Sequence, residues 1–158
     1  MKNLTAKDIM QREILSVKTD WHIDHLANFL IENFISGAPV ISNSGKLIGV
    51  VSLTDIVRNE SFPAHDPKSA APHGYYINEI DYDYSREDIS SFRMENDQMV
   101  TVEDIMTLMV FDVDESVSVQ QVADYMIKGH IHRVFVTREK KLTGIITALD
   151  LLKVIRDM

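Results

Sequence analysis

Apolar residues in the first part of the chain follow helical spacing and then give way to short strand-like runs. An amphipathic helix is predicted by apolar residues at i, i+3, i+4, i+7 and i+11, namely Ile23, Leu26, Ala27, Leu30 and Phe34. A short apolar run at residues 14–17 precedes this helix and predicts the end of a strand. Two β-rich runs follow at residues 38–42 and 46–52, separated by a turn at residues 43–45. A final helix is predicted to begin at Asp55, because Asp is a favoured N-cap residue.

The last third of the chain has the same order of patterns. Its helical spacing is carried by Val119, Val122, Ala123, Met126 and Ile127. Ser118 and Gln121 have the spacing of a capping box, which places the helix start at Ser118. Strand-like runs are predicted at residues 110–113, 133–137 and 142–147. The last helix is predicted to begin at Asp150.

These two stretches are copies of one unit. The tripeptide Asp-Ile-Met at residues 8–10 recurs at residues 104–106, an offset of 96 residues. After one deletion in a later loop the offset becomes 95, which aligns Ser52 with Thr147 and Asp55 with Asp150. A unit of about 50 residues buries its helices poorly when it is alone. We therefore expect one α/β (α+β) domain in which two repeats, related by a pseudo-two-fold axis, stack a small sheet with packed helices and leave a ligand cleft between them.

Composition narrows the class of protein without naming a function. The chain has 158 residues, 45% of them hydrophobic, which is enough for a sizeable core. No apolar run approaches the roughly 18 residues that span a bilayer, and the N-terminus does not resemble a signal peptide. The net charge of −8 argues against binding to nucleic acid or to an anionic membrane. The absence of cysteine excludes disulfides and thiolate zinc sites, and it fits a cytoplasmic protein.

The middle of the chain belongs to neither copy. We divide the sequence into repeat 1 at residues 1–60, a connecting segment at 61–98 and repeat 2 at 99–158. Structureless loops of this length are uncommon, and the acidic start at Ser85 predicts a short helix to about Met94. The segment is either a solvated connection or, through its tyrosines, a cover for the sheet edge or a contact with a second subunit.

The motifs of both copies resemble those of the cystathionine-β-synthase (CBS) domain pair, also called a Bateman module. They are Asp-Ile-Met at the start of each copy, Ile-Ser-Gly-Ala-Pro-Val-Ile at residues 35–41, Gly-Val-Val-Ser-Leu-Thr-Asp-Ile at 49–56, Ile-His-Arg-Val-Phe-Val at 131–136 and Gly-Ile-Ile-Thr-Ala-Leu-Asp-Leu at 144–151. The resemblance covers about 100 residues of the chain. It implies a stand-alone regulatory module that binds AMP, ADP or ATP between the repeats, with S-adenosylmethionine or NAD as ligands that share the adenosine half. It also implies a homodimer formed through helices, and a separate regulated protein.

The resemblance further implies two nucleotide pockets, each drawing on both copies. One pocket would combine Thr147, Asp150 and His132 with Ile35, Ser36 and Gly37. The other would combine Ser52, Thr54 and Asp55 with Ile131, Arg133 and Thr107. In this scheme Asp accepts the ribose hydroxyls, Ser or Thr donates to phosphate, and the backbone beside Ile35 and Ile131 reads the adenine edge. Because His132 and Arg133 supply basic groups from repeat 2 alone, we expect the pocket built on Asp150 to bind phosphates better.

Alternative interpretations stand beside this one. Asp55 and Asp150 are also suited to be helix caps and nothing more, which corresponds to a structural or interaction module without a ligand site. His22 and His25 have metal-pair spacing but no evident third ligand, so a solvated face is favoured. His130 and His132 would lie on one side of an extended segment, where a metal ion is a minor alternative. No nucleophile motif, phosphate loop or metal cluster supports an enzyme, and we expect no catalytic residues and no metal.

Overall fold

The computed structural model describes residues 3–61, 73–77 and 100–158, and it contains the same elements twice. Repeat 1 consists of α1 (Ala6–Ile9), β1 (Val17–Lys18), α2 (Ile23–Glu32), β2 (Gly37–Ile41), β3 (Leu47–Ser52) and α3 (Leu53–Ser61). One helical turn, α4 (Gly74–Ile77), belongs to the connecting segment. Repeat 2 consists of α5 (Val102–Ile105), β4 (Asp112–Asp114), α6 (Val119–Gly129), β5 (Arg133–Arg138), β6 (Lys141–Thr147) and α7 (Ala148–Arg156). The helix predicted at residues 85–94 lies outside the described residues.

Each repeat forms a three-stranded sheet with packed helices, as predicted. The first strand of each sheet runs parallel to the second, and the second runs antiparallel to the third. The hairpin register pairs Gly37 with Ser52 in repeat 1 and Arg133 with Thr147 in repeat 2. The residue that enters the second strand therefore lies beside the hydroxyl residue that ends the third, and this end of each hairpin carries the predicted binding motifs.

The two repeats exchange their first helical turns. Ala6 and Met10, from the start of repeat 1, are buried in the core of repeat 2 beside Phe135. Val102 and Ile105, from the start of repeat 2, are buried in the core of repeat 1. Each core is therefore completed by residues of the other repeat. This exchange supplies the apolar burial that a unit of this size cannot provide alone.

Backbone hydrogen bonds fasten this exchange at equivalent places. The segment that follows α1 pairs Gln11 with Ile145 of β6, and the segment that follows α5 pairs Thr107 with Val50 of β3. The chains approach closely there, because a Cβ on Gly49 would lie 2.7 Å from the Thr107 carbonyl oxygen. These contacts join the first segment of each repeat to the sheet of the other repeat.

Three details of the predicted elements are wrong. Phe34 lies beyond the end of α2, has a left-handed backbone with φ of 56°, and is 89% exposed. Ile127 lies on the outer face of α6 and is 72% exposed. The final helices begin before Asp55 and Asp150, because Thr147 is the N-cap of α7 and Asp150 is its third helical residue. The predicted capping box of Ser118 and Gln121 is confirmed.

The longest helix among the described residues, α6, has 11 residues. None of the helices in the described ranges is long and apolar enough to cross a membrane.

Candidate functional site

Each third strand ends in a hydroxyl residue that is hydrogen-bonded to the Asp three positions later. In repeat 2 the backbone N–H and the hydroxyl of Thr147 donate to Asp150 Oδ2 at 2.9 and 3.0 Å. In repeat 1 the backbone N–H and the hydroxyl of Ser52 donate to Asp55 Oδ2 at 2.8 and 3.2 Å. One oxygen of each carboxylate is therefore used to cap its helix, and Oδ1 is directed elsewhere.

The same capping pattern occurs at the start of each repeat, and there it is only structural. Thr5 and Asp8 cap α1, and Thr101 and Asp104 cap α5 in the same geometry. Asp8 and Asp104 are exposed, whereas Asp55 and Asp150 are 2% and 4% exposed. Burial of a carboxylate costs free energy unless it is paired, so the two buried acids are the exceptions that need partners.

Asp150 finds its partners in both repeats. Lys153 Nζ lies 2.9 Å from Asp150 Oδ1, and Nε2 of Gln11, from the start of repeat 1, lies 3.1 Å from each carboxylate oxygen. Burial by itself raises the pKa of Asp150, but the hydrogen bonds from Thr147, Lys153 and Gln11 together outweigh it and hold that pKa below its ordinary value. Since Gln11 is exposed and the Lys153 side chain is 58% exposed, both donors that hold the outer part of the carboxylate face solvent.

Asp55 is enclosed by the connecting segment instead. His73 Nε2 lies 2.8 Å from Asp55 Oδ2, and both side chains are buried. The His73 tautomer follows from its other nitrogen: Nδ1 accepts a hydrogen bond from the backbone N–H of Tyr75 at 3.0 Å, so Nε2 carries the proton and donates it to Asp55. Asp55 Oδ1 is buried and has no hydrogen-bond partner among the described residues.

Tyr75 lies in the cleft between the repeats. A Cβ on Gly37 would approach the Tyr75 ring to 2.7 Å, so the ring rests directly on the backbone of repeat 1. From repeat 2, the guanidinium carbon of Arg133 lies 4.6 Å from the centre of the same ring, a cation–π geometry. The ring is also stacked on Phe135, with centroids 5.8 Å apart.

Tyr76 anchors this segment in the core of repeat 2. Its side chain is fully buried, and its ring packs edge-on against Phe111 and Phe135. Burial raises the pKa of Tyr76 far above its ordinary value, so the hydroxyl stays neutral and accepts a hydrogen bond from the Phe111 N–H. The Tyr76 carbonyl oxygen accepts the backbone N–H of His132 at 2.8 Å.

The structure gathers many of the predicted pocket residues. Ser52, Asp55 and Arg133, which the sequence assigned to one pocket, lie near residues 73–77. Gly37 was assigned to the Asp150 pocket instead, but it lies beside Ser52 and Tyr75 because the hairpin register pairs it with Ser52. Thr107 is buried and is fixed by its backbone pairing with Val50. The remaining members of the prediction hold local positions: Ile131 is buried in the core of repeat 2, Ile35 packs partly buried against the core of repeat 1, and Thr54 is half-buried in α3.

Ser36 and His132 have equivalent structural roles. The Ser36 carbonyl oxygen accepts the N–H of Leu53, and the His132 carbonyl oxygen accepts the N–H of Ala148. These bonds tie each predicted adenine-reading segment to the first turn of the final helix in its own repeat. His130 adopts a left-handed backbone with φ of 52° at the end of α6, so the extended geometry expected for His130 and His132 is wrong.

Sequence reasoning missed four residues of this site: Gln11, His73, Tyr75 and Lys153. A signal for Gln11 was present, because it precedes Thr107 by the repeat offset of 96 residues. Lys153 lies one turn after Asp150, where i, i+3 pairs meet on a helix. His73 and Tyr75 carry no repeat signal, since they lie in the connecting segment.

The CBS domain family model matches this chain twice, over residues 6–61 and 102–157. Among curated proteins, the uncharacterised protein MJ1426 of Methanocaldococcus jannaschii is 31% identical over 153 residues, which cover 95% of this chain and 90% of that protein. Two further curated relatives are longer, and their matches to this chain span 40% and 29% of their lengths.

Two solved structures with the same fold contain adenosine ligands. CBSX2 of Arabidopsis thaliana, in complex with AMP, has a TM-score of 0.65 and 21% identity, and the match covers 98% of this chain and 97% of that one. The CBS domain pair of protein MJ0100, in complex with 5′-methylthioadenosine and S-adenosyl-L-methionine, has a TM-score of 0.60 and 22% identity, with coverage of 97% and 96%. This chain and these two proteins therefore share one fold.

Proposed function

This chain belongs to the CBS domain family, and we propose that it is a regulatory module that binds AMP, ADP or ATP in the cleft between its repeats. The pocket that we assign to the nucleotide is the one built on Thr147 and Asp150. Binding would favour one relative arrangement of the two repeats and pass that change to a dimer partner or to a separate regulated protein. The cytoplasmic location expected from the cysteine-free sequence is part of the same proposal.

One observation carries the proposal: Asp150 is buried, yet its outer oxygen is held by side chains that face solvent. A ribose presents two neighbouring hydroxyl donors, and a carboxylate with two oxygens accepts both. Gln11 and Lys153 can turn away when such a ligand arrives, and the Lys153 ammonium would then be available to a phosphate. Because Gln11 comes from repeat 1 and Asp150 from repeat 2, a ligand at this place would report on how the repeats are arranged.

Relatives support the class of ligand. CBSX2 binds AMP and the MJ0100 domain pair binds 5′-methylthioadenosine and S-adenosyl-L-methionine, and the adenosine half is common to all three. A site in this chain that binds any of these ligands needs contacts to the ribose and to the adenine. These contacts are the same whether the ligand carries a phosphate or a sulfonium group. The Lys153 ammonium beside Asp150 favours a phosphate over the neutral thioether of 5′-methylthioadenosine.

An exposed apolar face supports the homodimer in this proposal. Leu149, Leu152 and Ile155 are 67, 56 and 64% exposed, and their i, i+3, i+6 spacing places them on one stripe of α7. Ile127 of α6 is exposed as well, beside an apolar groove of about 410 Å³ lined by both helices. We assign this face to a second copy of the chain, because exposed apolar side chains clustered on a helix are typical of an interface.

Calorimetric titration with AMP, ADP and ATP tests the proposal. Asp150→Asn keeps the shape of the side chain but removes the charge and one acceptor, so we expect a loss of binding of tenfold or more. Asp104→Asn is the matched control, because Asp104 occupies the same capping position on α5 but is exposed. Unchanged affinity in Asp150→Asn, or an equal loss in both variants, would contradict the assignment.

A purely structural or interaction module is the second candidate function, and the closed state of Asp55 favours it. In that case the carboxylates serve as caps and the repeats serve only to present the α6 and α7 surface. This alternative predicts no thermal stabilisation by any adenine nucleotide, whereas a true ligand at a hundredfold excess over its Kd stabilises by about 2.7 kcal/mol.

A further inference from the structure

Residues 73–77 of the connecting segment contact the pocket built on Asp55. We propose that residues 73–77 are a tethered occupant of the pocket built on Asp55, so that the module offers one open nucleotide site, at Asp150. The occupation of the Asp55 pocket by residues 73–77 does not depend on whether the module binds a nucleotide. The count of open sites rests on the proposed function.

Asp55 is paired with a donor from the connecting segment. His73 brings an N–H donor to the carboxylate at 2.8 Å, and the tautomer fixed by the Tyr75 N–H makes this nitrogen a donor. A ribose hydroxyl would need the same acceptor. His73 therefore takes the place of a ligand hydroxyl on Asp55 Oδ2.

The ring of Tyr75 lies between the two repeats. It fills the space between Gly37 of repeat 1, which the hairpin register pairs with Ser52, and Arg133 of repeat 2, which the family scheme assigns to the Asp55 pocket. A flat ring between the backbone of one repeat and the guanidinium of the other excludes a second flat ring from that space. The stack on Phe135 holds Tyr75 in this position.

The backbone of Tyr76 is bonded to repeat 2. Its carbonyl oxygen accepts the N–H of His132, the residue after Ile131, and the family scheme places the backbone beside Ile131 at the adenine of the Asp55 pocket. The buried side chain of Tyr76 ties the whole segment to the core of repeat 2. An adenine at this pocket would have to displace a hydrogen bond that the core anchors.

The occupant satisfies only one of the two carboxylate oxygens of Asp55. The backbone N–H and hydroxyl of Ser52 and Nε2 of His73 all donate to Oδ2. Oδ1 is buried with no partner in the described part of the chain. A buried carboxylate oxygen without a donor is costly, and it is the acceptor that a second ribose hydroxyl would use. The pocket therefore keeps the acceptors of a ribose site while His73 occupies half of them.

The first test counts nucleotides by calorimetry with AMP and with ATP. We expect the wild type to bind one equivalent, and the double variant His73→Ala/Tyr75→Ala to bind a second equivalent at least tenfold more tightly than the wild type does. Tyr76 is kept so that the core anchor remains. Two equal sites in the wild type, or no gain in the folded double variant, would overturn the proposal.

A second test needs no nucleotide and no loss of His73. Gly37→Ala adds a methyl group that meets the Tyr75 ring at 2.7 Å, with Val51 O and Ser52 Cβ as further neighbours at 3.0 and 3.3 Å. We expect Gly37→Ala to lower the Tm more in the wild-type background than in a Tyr75→Ala background, because only the ring contact is relieved there. Equal losses in both backgrounds would show that Tyr75 does not lie on Gly37.

The two tests separate the proposals. If neither protein binds a nucleotide, the proposed function fails and the Gly37 and Tyr75 coupling still decides whether the segment occupies the pocket. If the coupling is absent while the wild type binds two nucleotides, the tethered occupant fails and the nucleotide-binding function stands.

Discussion

Substitution of Ile105 by Ala tests whether the repeats exchange their first helical turns. By sequence Ile105 belongs to repeat 2, but in the structure it is 1% exposed and lies in the core of repeat 1. If the exchange is correct, its truncation must weaken the sheet of the other repeat. If each repeat folded on its own first turn, the damage would fall on repeat 2 instead.

The size of the effect follows from burial. Ile→Ala removes three buried carbon groups, and at about 0.8 kcal/mol each the transfer term is about 2.4 kcal/mol. The cavity left behind adds to this, so we expect a loss of about 2.5 to 5 kcal/mol in the free energy of unfolding. A domain of ordinary stability has only about 5 to 15 kcal/mol, so the loss is a large share of the total.

Urea unfolding followed by circular dichroism measures the loss, and hydrogen exchange locates it. Amides of β2 and β3 in repeat 1 should exchange faster in Ile105→Ala, at least as much as those of β5 and β6. Leu108→Ala is the control, because Leu108 lies three residues later and is 47% exposed, and it should change stability by less than about 0.5 kcal/mol. A loss below about 1 kcal/mol, or faster exchange confined to β5 and β6, would refute the exchange.

Three further substitutions probe the packing, the backbone and the charge of the fold. Gly144→Ala places a methyl group against the Met10 side chain, with Met10 Cβ at 2.8 Å, so we expect a loss of about 1 to 3 kcal/mol in urea unfolding that Met10→Ala partly reverses. Phe34→Gly should raise the Tm, because it relieves an exposed aromatic residue at φ of 56°. The pKa of Asp150 is lowered in the folded state, so its contribution is complete above the unfolded value and is lost as the pH falls through the folded one. The stability gap between wild type and Asp150→Asn should therefore narrow below about pH 4, and a constant gap in pH-dependent urea unfolding would contradict this.

Much of each repeat could be predicted from the sequence because its signals are local. The apolar faces of α2 and α6 follow from spacing, and Val119, Val122 and Met126 are buried as that spacing indicates. The errors lie at helix ends, where a local pattern does not show which residue stops the helix. Phe34 fits the helical period but itself adopts a left-handed backbone at the end of α2, and its counterpart His130 adopts the same backbone at the end of α6.

The exchange of α1 and α5 could not be predicted, because it depends on contacts between residues about 100 positions apart. Nothing in the apolar pattern around Met10 or Ile105 shows which of two similar cores each one joins. The motif that begins each repeat is the same in both copies, so its sequence is compatible with either arrangement. The burial of Met10 and Ile105 in the opposite cores and the pairing of Gln11 with Ile145 and of Thr107 with Val50 settle the question.

The asymmetry of the two pockets has a physical origin in the residues where the copies diverge. Gly37 in repeat 1 corresponds to Arg133 in repeat 2, and the Tyr75 ring uses both: it rests where Gly37 has no Cβ, and it lies under the Arg133 guanidinium. If the two residues were exchanged, Tyr75 would lose both contacts. A side chain at position 37 would fill the space of the ring, and a glycine at position 133 would remove the cation. His73 of the connecting segment pairs with Asp55, whereas Asp150 is held by Gln11 and Lys153. Divergence at this aligned position therefore contributes to the seat of Tyr75, and we expect Arg133→Gly to lower the Tm less in a Tyr75→Ala background than in the wild type.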